Sequence, residues 1–548
     1  MQGAHIVLVG MPAAGKSAVG GQLAQRLGLP LVDLDDVIAL DARATVGALL
    51  RHEGEAAFRV REAAALQAAL HGPQAVVATG GGAAIFHGGW QHMRDSGHVV
   101  WIDVPLDTLS ERVLTDPTER PLLGDTRQAV LANLLQLEQA RTPIYAKAHV
   151  RVDGSAAPAQ VAAAIARALQ PPVMIAAPVN DRPSQVVVHD GELGAAAEAL
   201  ADLAAGARIA LVVDRAVADH AAPLAKMLAA RNLAPAWIDV PGGEKGKTTR
   251  GLAQLWGELA DHSIGRNDLL VAVGGGATID LAGFAAATWQ RGMRTALLPT
   301  TVLAMADASV GGKTAIDVAQ GKNLVGAFHA PELVWCALES LATLPVRHFR
   351  AGLAEIAKIF LLFDAKAWQQ LLADAPALRR RDRAALRPHL QAAIRWKAQV
   401  VLADPHETAA MSAPLHRSLL NLGHTIGHAC EAASNYATLH GEAVALGLCA
   451  EATWAEAHGH ASLGTADAVI AGLAALGLNT QWQRAVTPEV LQRTCTDKKM
   501  QGGQLHLPTL RAVGDAVMQD VVADVWRAQM VTLVPAPLTN AAQAWRMA

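Results

Sequence analysis

Short apolar, β-branched runs punctuate the first 170 positions at His5–Val9, Leu31–Leu34, Ala75–Thr79, His98–Val104 and Val150–Val152. Each is followed by an Ala/Leu/Arg-rich stretch whose apolar residues recur with helical period, which predicts βαβ units closing on a parallel sheet. The pattern breaks at Pro171, Pro172, Pro178 and Pro183, with Asn180 and Asp181 among them. Prolines at that density cannot continue a helix and predict a linker over 171–183. A second strand series follows at Ser184–His189, Arg208–Asp214, Ala236–Val240 and Leu269–Val273. Beyond about Pro345 the strand signals fade, and long helical patterns take over at Ala384–Val401, Ser418–Ser434 and His440–His458. The chain reads as α/β in three parts: a three-layer parallel-sheet domain over 1–170, an α/β layer over 184–345, and an all-helical layer over 346–548.

Composition narrows the function classes. A net charge of −3 over 548 residues offers no bulk attraction to nucleic acid or to an acidic membrane. No uninterrupted apolar run reaches the roughly 18 residues that a membrane span needs. His5–Gly10 reads as a buried strand entering a glycine turn, and not as a signal peptide. Cys336, Cys430, Cys449 and Cys495 form no C-x-x-C pair, which predicts a reducing, cytoplasmic setting.

Gly10-Met11-Pro12-Ala13-Ala14-Gly15-Lys16-Ser17 satisfies G-x-x-x-x-G-K-[ST] in full, between a strand and a helix. In that setting the backbone from Gly10 through Ala13, Ala14, Gly15 and Ala18 cradles phosphate oxygens. Lys16 neutralises the terminal phosphates, and the Ser17 hydroxyl ligates Mg²⁺. Binding of ATP or GTP follows. Around this loop lie Asp33 and Asp35, Arg59 within Phe58-Arg59-Val60-Arg61-Glu62, the triple glycine Gly80-Gly81-Gly82, Arg120 before Pro121-Leu122, and Arg141. Three arginines, paired aspartates and bare backbone suit an anionic, polyhydroxylated acceptor.

On these motifs residues 1–170 resemble shikimate kinase. The resemblance implies Asp33 beside Ser17 in the Mg²⁺ shell and Asp35 on the acceptor hydroxyls. It implies Arg59 and Arg141 on the shikimate carboxylate, Gly80–Gly82 beside the ring, and Arg120 as a lid arginine on the ATP phosphates.

In the second half, Gly274-Gly275-Gly276 leads from a strand toward Asp280, a turn suited to pyrophosphate. Asp214 ends an earlier strand, placed for a ribose hydroxyl, and Glu244 and Lys247 follow an exposed Pro-Gly-Gly turn. His424 and His428 are four apart in a helical pattern, a spacing that serves either a metal or a plain polar face. His440 and Glu355 are further candidate ligands.

These features, with Pro299-Thr300-Thr301, Asp307 to Lys313, Gly321-Lys322-Asn323-Leu324, Glu355 to Lys358, Asn421 to His428 and His440-Gly441-Glu442, resemble 3-dehydroquinate synthase over about residues 184–548. The resemblance implies Zn²⁺ or Co²⁺ on Glu355, His424 and His440, with His428 displaced to the substrate side. It implies NAD on Asp214, Glu244, Lys247, Gly275, Gly276, Asp280, Thr300, Thr301, Lys313, Lys322 and Thr343. For 3-deoxy-arabino-heptulosonate 7-phosphate it implies Asp307, Lys313, Asn323, Arg417, Asn421, His428, Lys498 or Lys499, and Arg291 reaching from a neighbouring subunit of a homodimer. Lys358, Lys397 and Glu407 would line the same pocket as catalytic groups. The implied cycle oxidises a substrate hydroxyl with bound NAD, eliminates phosphate, returns the hydride and closes a carbocycle. Two readings compete. One is a P-loop sensor fused to a catalytically dead scaffold, against which intact Lys16, Ser17, Glu355, His424 and His440 stand. The other is a metal-dependent polyol dehydrogenase that releases NADH, against which the phosphate-gripping Lys313, Lys322 and Arg417 favour the synthase. Trp289 stands where the family pattern has tyrosine.

Overall fold

The computed structural model describes residues 4–116, 123–124, 126–169, 173–175, 183–494, 500–501 and 503–534. It divides into two compact units, Met1–Pro171 and Pro172–Ala548.

The first unit is built on five parallel strands in the order Leu31–Asp33, Val76–Ala78, His5–Val9, Gly97–Asp103 and Val150–Asp153. His5–Val9 is buried along its whole length, as a central parallel strand must be when both sheet faces are covered. It delivers the chain into the glycine loop, where Gly15 takes a left-handed φ of 85° and starts the Lys16–Leu27 helix. The second strand is one residue shorter than its apolar run, because Asp33 caps a new helix, Leu34–Ala42, by accepting from the Asp35 backbone N–H. Asp33 and Asp35 thereby sit on either side of a strand-to-helix bend.

The main sheet of the second unit has seven strands in the order Val173–Ile175, Ser184–His189, Leu333–Ala337, Arg294–Pro299, Leu269–Gly274, Ile209–Asp214 and Ala236–Val240. All neighbours are parallel except the first pair. The chain runs outward in opposite directions from the Leu269–Gly274 and Ile209–Asp214 strands. The carboxyl ends of that pair form the switch-point crevice where α/β sheets bind ligands. A two-stranded hairpin, Lys313–Val318 with Gly321–Phe328, stands apart from this sheet. Helices follow, led by Val346–Phe363, in which every residue from Ala351 to Leu362 is buried.

Three expectations need correction. The proposed linker gives up Val173–Ile175, which pairs antiparallel with Ser184–His189 and so belongs to the second sheet; Pro178, Asn180 and Asp181 lie outside the described residues. The expected Ser418–Ser434 helix is broken: Arg417–Asn421 is a 3₁₀ turn, and Gly423, at φ 76°, resets the chain before His424–Ala433. The final part is not all-helical. Met500–Gln501, Gln504–Ala512 and Asp515–Val522 form an antiparallel sheet, turned at Gly514 (φ 83°). Leu505, Leu507 and Leu510 are buried in its middle strand, an alternation too brief to stand out beside the helical patterns.

Candidate active sites

In the first unit the P-loop is closed on its own lysine. Lys16 Nζ donates to Gly10 O at 3.0 Å and Met11 O at 2.9 Å, and burial lowers its pKa to about 8. Ser17 and Ala18 stay exposed at the helix start, where a phosphate-bound cation would sit. The triple glycine lies so close to the acceptor candidates that a side chain there would displace them. A Cβ on Gly80 would stand 2.0 Å from Glu62 Oε1, on Gly81 2.7 Å from Arg141 Nη1, and on Gly82 2.4 Å from Arg59 Nη1. Gly80 also faces Asp35 Oδ1, 3.2 Å from that same imagined Cβ.

Asp35, Arg59, Gly80–Gly82 and Arg141 are therefore brought together, with Asp33 beside Asp35. Arg59 is held by Glu62 and Glu55, each at 2.8 Å. Buried Arg141 keeps Nη1 without a hydrogen-bond partner, a donor suited to an incoming carboxylate. Burial, then the Asp33 charge, pushes the Asp35 carboxyl above its ordinary value. Two contributors went unforeseen. Arg112 donates to Gly154 O at 2.9 Å and reaches Ala13 O of the P-loop at 3.5 Å. Tyr145 donates to Gly81 O at 2.7 Å and lies 3.3 Å from Gly10 O, joining the two glycine loops.

In the second unit three helices converge through glycine. A Cβ on Gly441 would stand 1.8 Å from Ala351 O, and one on Gly447 1.9 Å from Gly423 O. Only bare backbone lets Val346–Phe363, His424–Ala433 and His440–Ala457 approach so closely. That approach gathers Glu355, His424 and His440, whose ligand atoms lie within 4.8 Å of one another. His424 Nδ1 faces Leu422 O at 3.0 Å, and His440 Nδ1 faces Glu431 Oε2 at 3.1 Å. Both Nε2 atoms are thereby turned toward Glu355 Oε1, at 3.7 and 3.5 Å.

Glu355 is fully buried, and neither carboxylate oxygen accepts an aligned hydrogen bond, although Lys358 Nζ stands 2.5 Å from Oε2 as an ion pair. Burial would raise this carboxyl, but Lys358 and His440 outweigh it and hold it well below its usual range. Burial, with Lys358 and His440, keeps His424 well below the imidazole range and so neutral. His440 also opposes burial: the carboxylates of Glu355 and Glu431 push it up to about 10. Two imidazoles and one buried carboxylate form a three-ligand set that fits a tetrahedral cation with an open position.

His428 is exposed, its ring 5.3 Å from that of His424, and it lies outside this set. It belongs to a second grouping, with Glu431 and His440. The sequence reading missed Glu431, and also Glu451, whose buried oxygens accept from the Gly423 and Ile426 N–H groups and anchor the start of the ligand helix.

At the switch point, Gly275 caps the Gly276–Thr288 helix, and Gly242 and Gly274 both pack against Asp214. Lys247 Nζ donates to Asp280 Oδ2 at 2.6 Å and to Asn323 Oδ1 at 2.5 Å. Burial lifts Asp280 to about 6, with Lys247 partly offsetting it. Thr300 N donates to Gly274 O, and Thr301 packs on Gly275. Between crevice and metal set, Lys397 Nζ is held by Asp307, Lys313 pairs with Glu407, and Arg417 Nη2 donates to Gly311 O at 2.7 Å.

Family models match this chain in three stretches: shikimate kinase over residues 12–170, the N-terminal part of 3-dehydroquinate synthase over 237–351, and its C-terminal part over 352–500. The 3-dehydroquinate synthase of Thermobifida fusca (strain YX) is 39% identical over 328 residues, covering 60% of this chain and 87% of that protein. That of Halorhodospira halophila (strain DSM 244 / SL1) is 42% identical over 313 residues, covering 56% and 87%. The chain belongs to the 3-dehydroquinate synthase family. A shikimate kinase domain precedes the synthase domains, so one chain joins two shikimate-pathway enzymes.

Among solved structures, the 2-epi-5-epi-valiolone synthase of Streptomyces hygroscopicus subsp. jinggangensis 5008, with NAD⁺ and Zn²⁺ bound, aligns at 28% identity and a TM-score of 0.57, covering 64% of this chain and 96% of that one. A 2-deoxy-scyllo-inosose synthase complexed with carbaglucose-6-phosphate, NAD⁺ and Co²⁺ shares the fold at 24% identity and a TM-score of 0.58, covering 66% and 99%.

Within the synthase half, the remaining expected residues are more scattered. Thr343 Oγ1 is 2.7 Å from His220 Nε2, on the helix that follows Asp214. Lys322 lies 3.2 Å from Glu244 Oε1. Asn421 is half-buried at the end of the 3₁₀ turn. Arg291 is exposed on a turn where Gln290 and Arg291 are both left-handed, φ 47° and 66°. Neighbouring Trp289 donates to Ile264 O at 3.0 Å, and so replaces the family's tyrosine with a hydrogen bond of its own. Arg120 of the kinase half, and Lys498 and Lys499 of the synthase half, lie outside the described residues.

Proposed function

We propose that the chain transfers the γ-phosphoryl group of ATP to shikimate at its first site, and at its second converts 3-deoxy-arabino-heptulosonate 7-phosphate to 3-dehydroquinate and phosphate. One observation carries the second assignment: both imidazole Nε2 atoms face the buried Glu355 carboxylate, in a chain about 40% identical to named 3-dehydroquinate synthases. That identity also favours this substrate over those of the more distant valiolone and inosose synthases.

At the kinase site, Ser17 and Asp33 would hold Mg²⁺, and the loop from Gly10 to Ala18 would hold the phosphates. Lys16 exchanges Gly10 O and Met11 O for phosphate oxygens. Arg59 and Arg141 grip the carboxylate while Asp35 orients the hydroxyls. The charged form of Lys16 is the one that binds ATP. Its lowered pKa therefore brings loss of affinity into the range just above pH 8, whereas an ordinary lysine would hold to about 10.5. ATP affinity measured from pH 7 to 9 should fall by roughly tenfold per pH unit above the Lys16 pKa. A flat profile would contradict the role.

At the synthase site, Glu355, His424 and His440 would hold Zn²⁺ or Co²⁺. Asp214, the Gly275–Gly276 helix start, Lys247–Asp280 and Thr300–Thr301 would hold NAD. The metal supplies polarisation of a substrate hydroxyl, and the nicotinamide supplies a hydride acceptor. This chain's own residues bind and orient the substrate. Lys313, Asn323 and Arg417 face its phosphate and carboxylate. Burial pulls Lys397 below the ordinary lysine range, with Asp307 only partly opposing, which favours release of a proton from its ammonium. Lys358, as buried as Glu355 and one turn away on the same helix, balances its charge.

Arg291, exposed on its left-handed turn, is the residue a second copy would bring to its neighbour's site in a homodimer. Among the described residues no helix is long and apolar enough to cross a membrane. Cys336, Cys430 and Cys449 are free and buried, in keeping with a cytoplasmic setting. The two reactions are not consecutive, since 3-dehydroquinate must be dehydrated and reduced before it becomes shikimate. The purified chain should release phosphate from the heptulosonate phosphate with NAD present and no net NADH absorbance. Accumulating NADH would point instead to a polyol dehydrogenase.

A further inference from the structure

Glu431 faces two partners at once. It is buried in the His424–Ala433 helix, where Oε2 meets Nδ1 of His440 at 3.1 Å and Oε1 lies 3.7 Å from Lys322 Nζ. Lys322 comes from a different layer, the Gly321–Phe328 strand of the hairpin, next to Asn323, which contacts Lys247 of the nucleotide crevice. The Lys322 ammonium is shared three ways. It lies 3.2 Å from Glu244 Oε1 and 4.3 Å from the centre of the Tyr436 ring.

The backbone is shaped on both sides of this contact. Asn435 (φ 48°) and Tyr436 (φ 61°) are consecutive left-handed residues that follow the helix, and Tyr436 N donates to Glu431 O at 2.8 Å. Across from them, Asn323 is also left-handed, at φ 55°. Non-glycine residues in this region persist where the surrounding structure over-determines them, and such sites often carry function.

We propose that Glu431 is a positioning residue that couples metal occupancy to nucleotide binding, orienting His440 with one oxygen and holding Lys322 with the other. The proposal rests on the reading above, in which Lys322 faces NAD. The sign follows from charge. In the free site Lys322 is divided between Glu431 and Glu244. A divalent cation at Glu355, His424 and His440 adds positive charge beside Glu431, weakens its hold on Lys322, and frees the ammonium for pyrophosphate. Reciprocity then requires NAD to tighten metal binding by the same factor.

Calorimetric titration of NAD into metal-stripped and Co²⁺-loaded protein, and of Co²⁺ with and without saturating NAD, reads both affinities without turnover. In the wild-type chain each ligand should tighten the other by about fivefold or more. Glu431→Gln should weaken Co²⁺ binding by about 10- to 100-fold and bring the coupling factor to about 1. Lys322→Gln should weaken NAD binding and abolish the coupling, and should tighten Co²⁺ binding without NAD to about the affinity that the wild-type chain shows with NAD bound. This second variant carries the test if Glu431→Gln fails to fold. A folded Glu431→Gln with wild-type coupling, or a Lys322→Gln that retains it, would overturn the proposal. A wild-type chain that binds neither NAD nor Co²⁺ would overturn the underlying site assignment, and the proposal with it.

Discussion

Lys16→Ala should lower shikimate phosphorylation by about 10³-fold, the order expected when one preorganised donor to developing charge is removed from a closed site. Lys16 is the cation that the P-loop wraps, and in the free protein its ammonium is already buried against Gly10 O and Met11 O. Its replacement leaves those carbonyls facing the phosphates with no counter-charge. The fall should appear in kcat, with shikimate affinity largely kept, because Arg59 and Arg141 remain. Arg59→Ala should show the opposite split, raising the shikimate KM. Steady-state rates for both variants check this, and near-wild-type kcat in Lys16→Ala would refute the P-loop role.

His440→Ala should strip the synthase site of metal, whereas His428→Ala should leave metal content near wild type. Spacing alone pairs His424 with His428, four residues apart on one helix. The structure turns His440 Nε2 rather than His428 toward Glu355. Loss of a direct ligand should exceed the roughly 10- to 100-fold that losing an outer partner costs. Elemental analysis after dialysis against a weak chelator decides between them. Equal losses, or a larger loss in His428→Ala, would restore the pair that spacing suggests.

The parts of these sites that sequence reveals are those whose chemistry is tied to fixed local backbone. The P-loop shows because a strand, a glycine turn and a helix start must follow one another without interruption. The metal set shows only through resemblance, since Glu355 and His440 approach His424 by close helix packing at Gly441 and Gly447, a contact no periodicity encodes. Gly80–Gly82 stands out as a motif, but its reason, the absence of room beside Glu62, Arg141 and Arg59, appears only in three dimensions. By sequence, Glu431 and Glu451 are indistinguishable from ordinary helix carboxylates. A glutamate three residues after a histidine, in a largely apolar segment, was the one available signal. The antiparallel sheet near the C-terminus was lost because Gln504–Ala512 alternates over few buried positions and includes Pro508, a residue that argues against a strand.

The central claim is that one chain holds two separate active sites. A single purified preparation of the wild-type chain, Lys16→Ala and His440→Ala, each assayed for shikimate-dependent ADP formation and for phosphate release from 3-deoxy-arabino-heptulosonate 7-phosphate, tests it most directly. The wild-type chain should show both activities, Lys16→Ala should keep only phosphate release, and His440→Ala should keep only shikimate phosphorylation. Loss of both activities in either folded variant, or a wild-type chain lacking one of them, would contradict it.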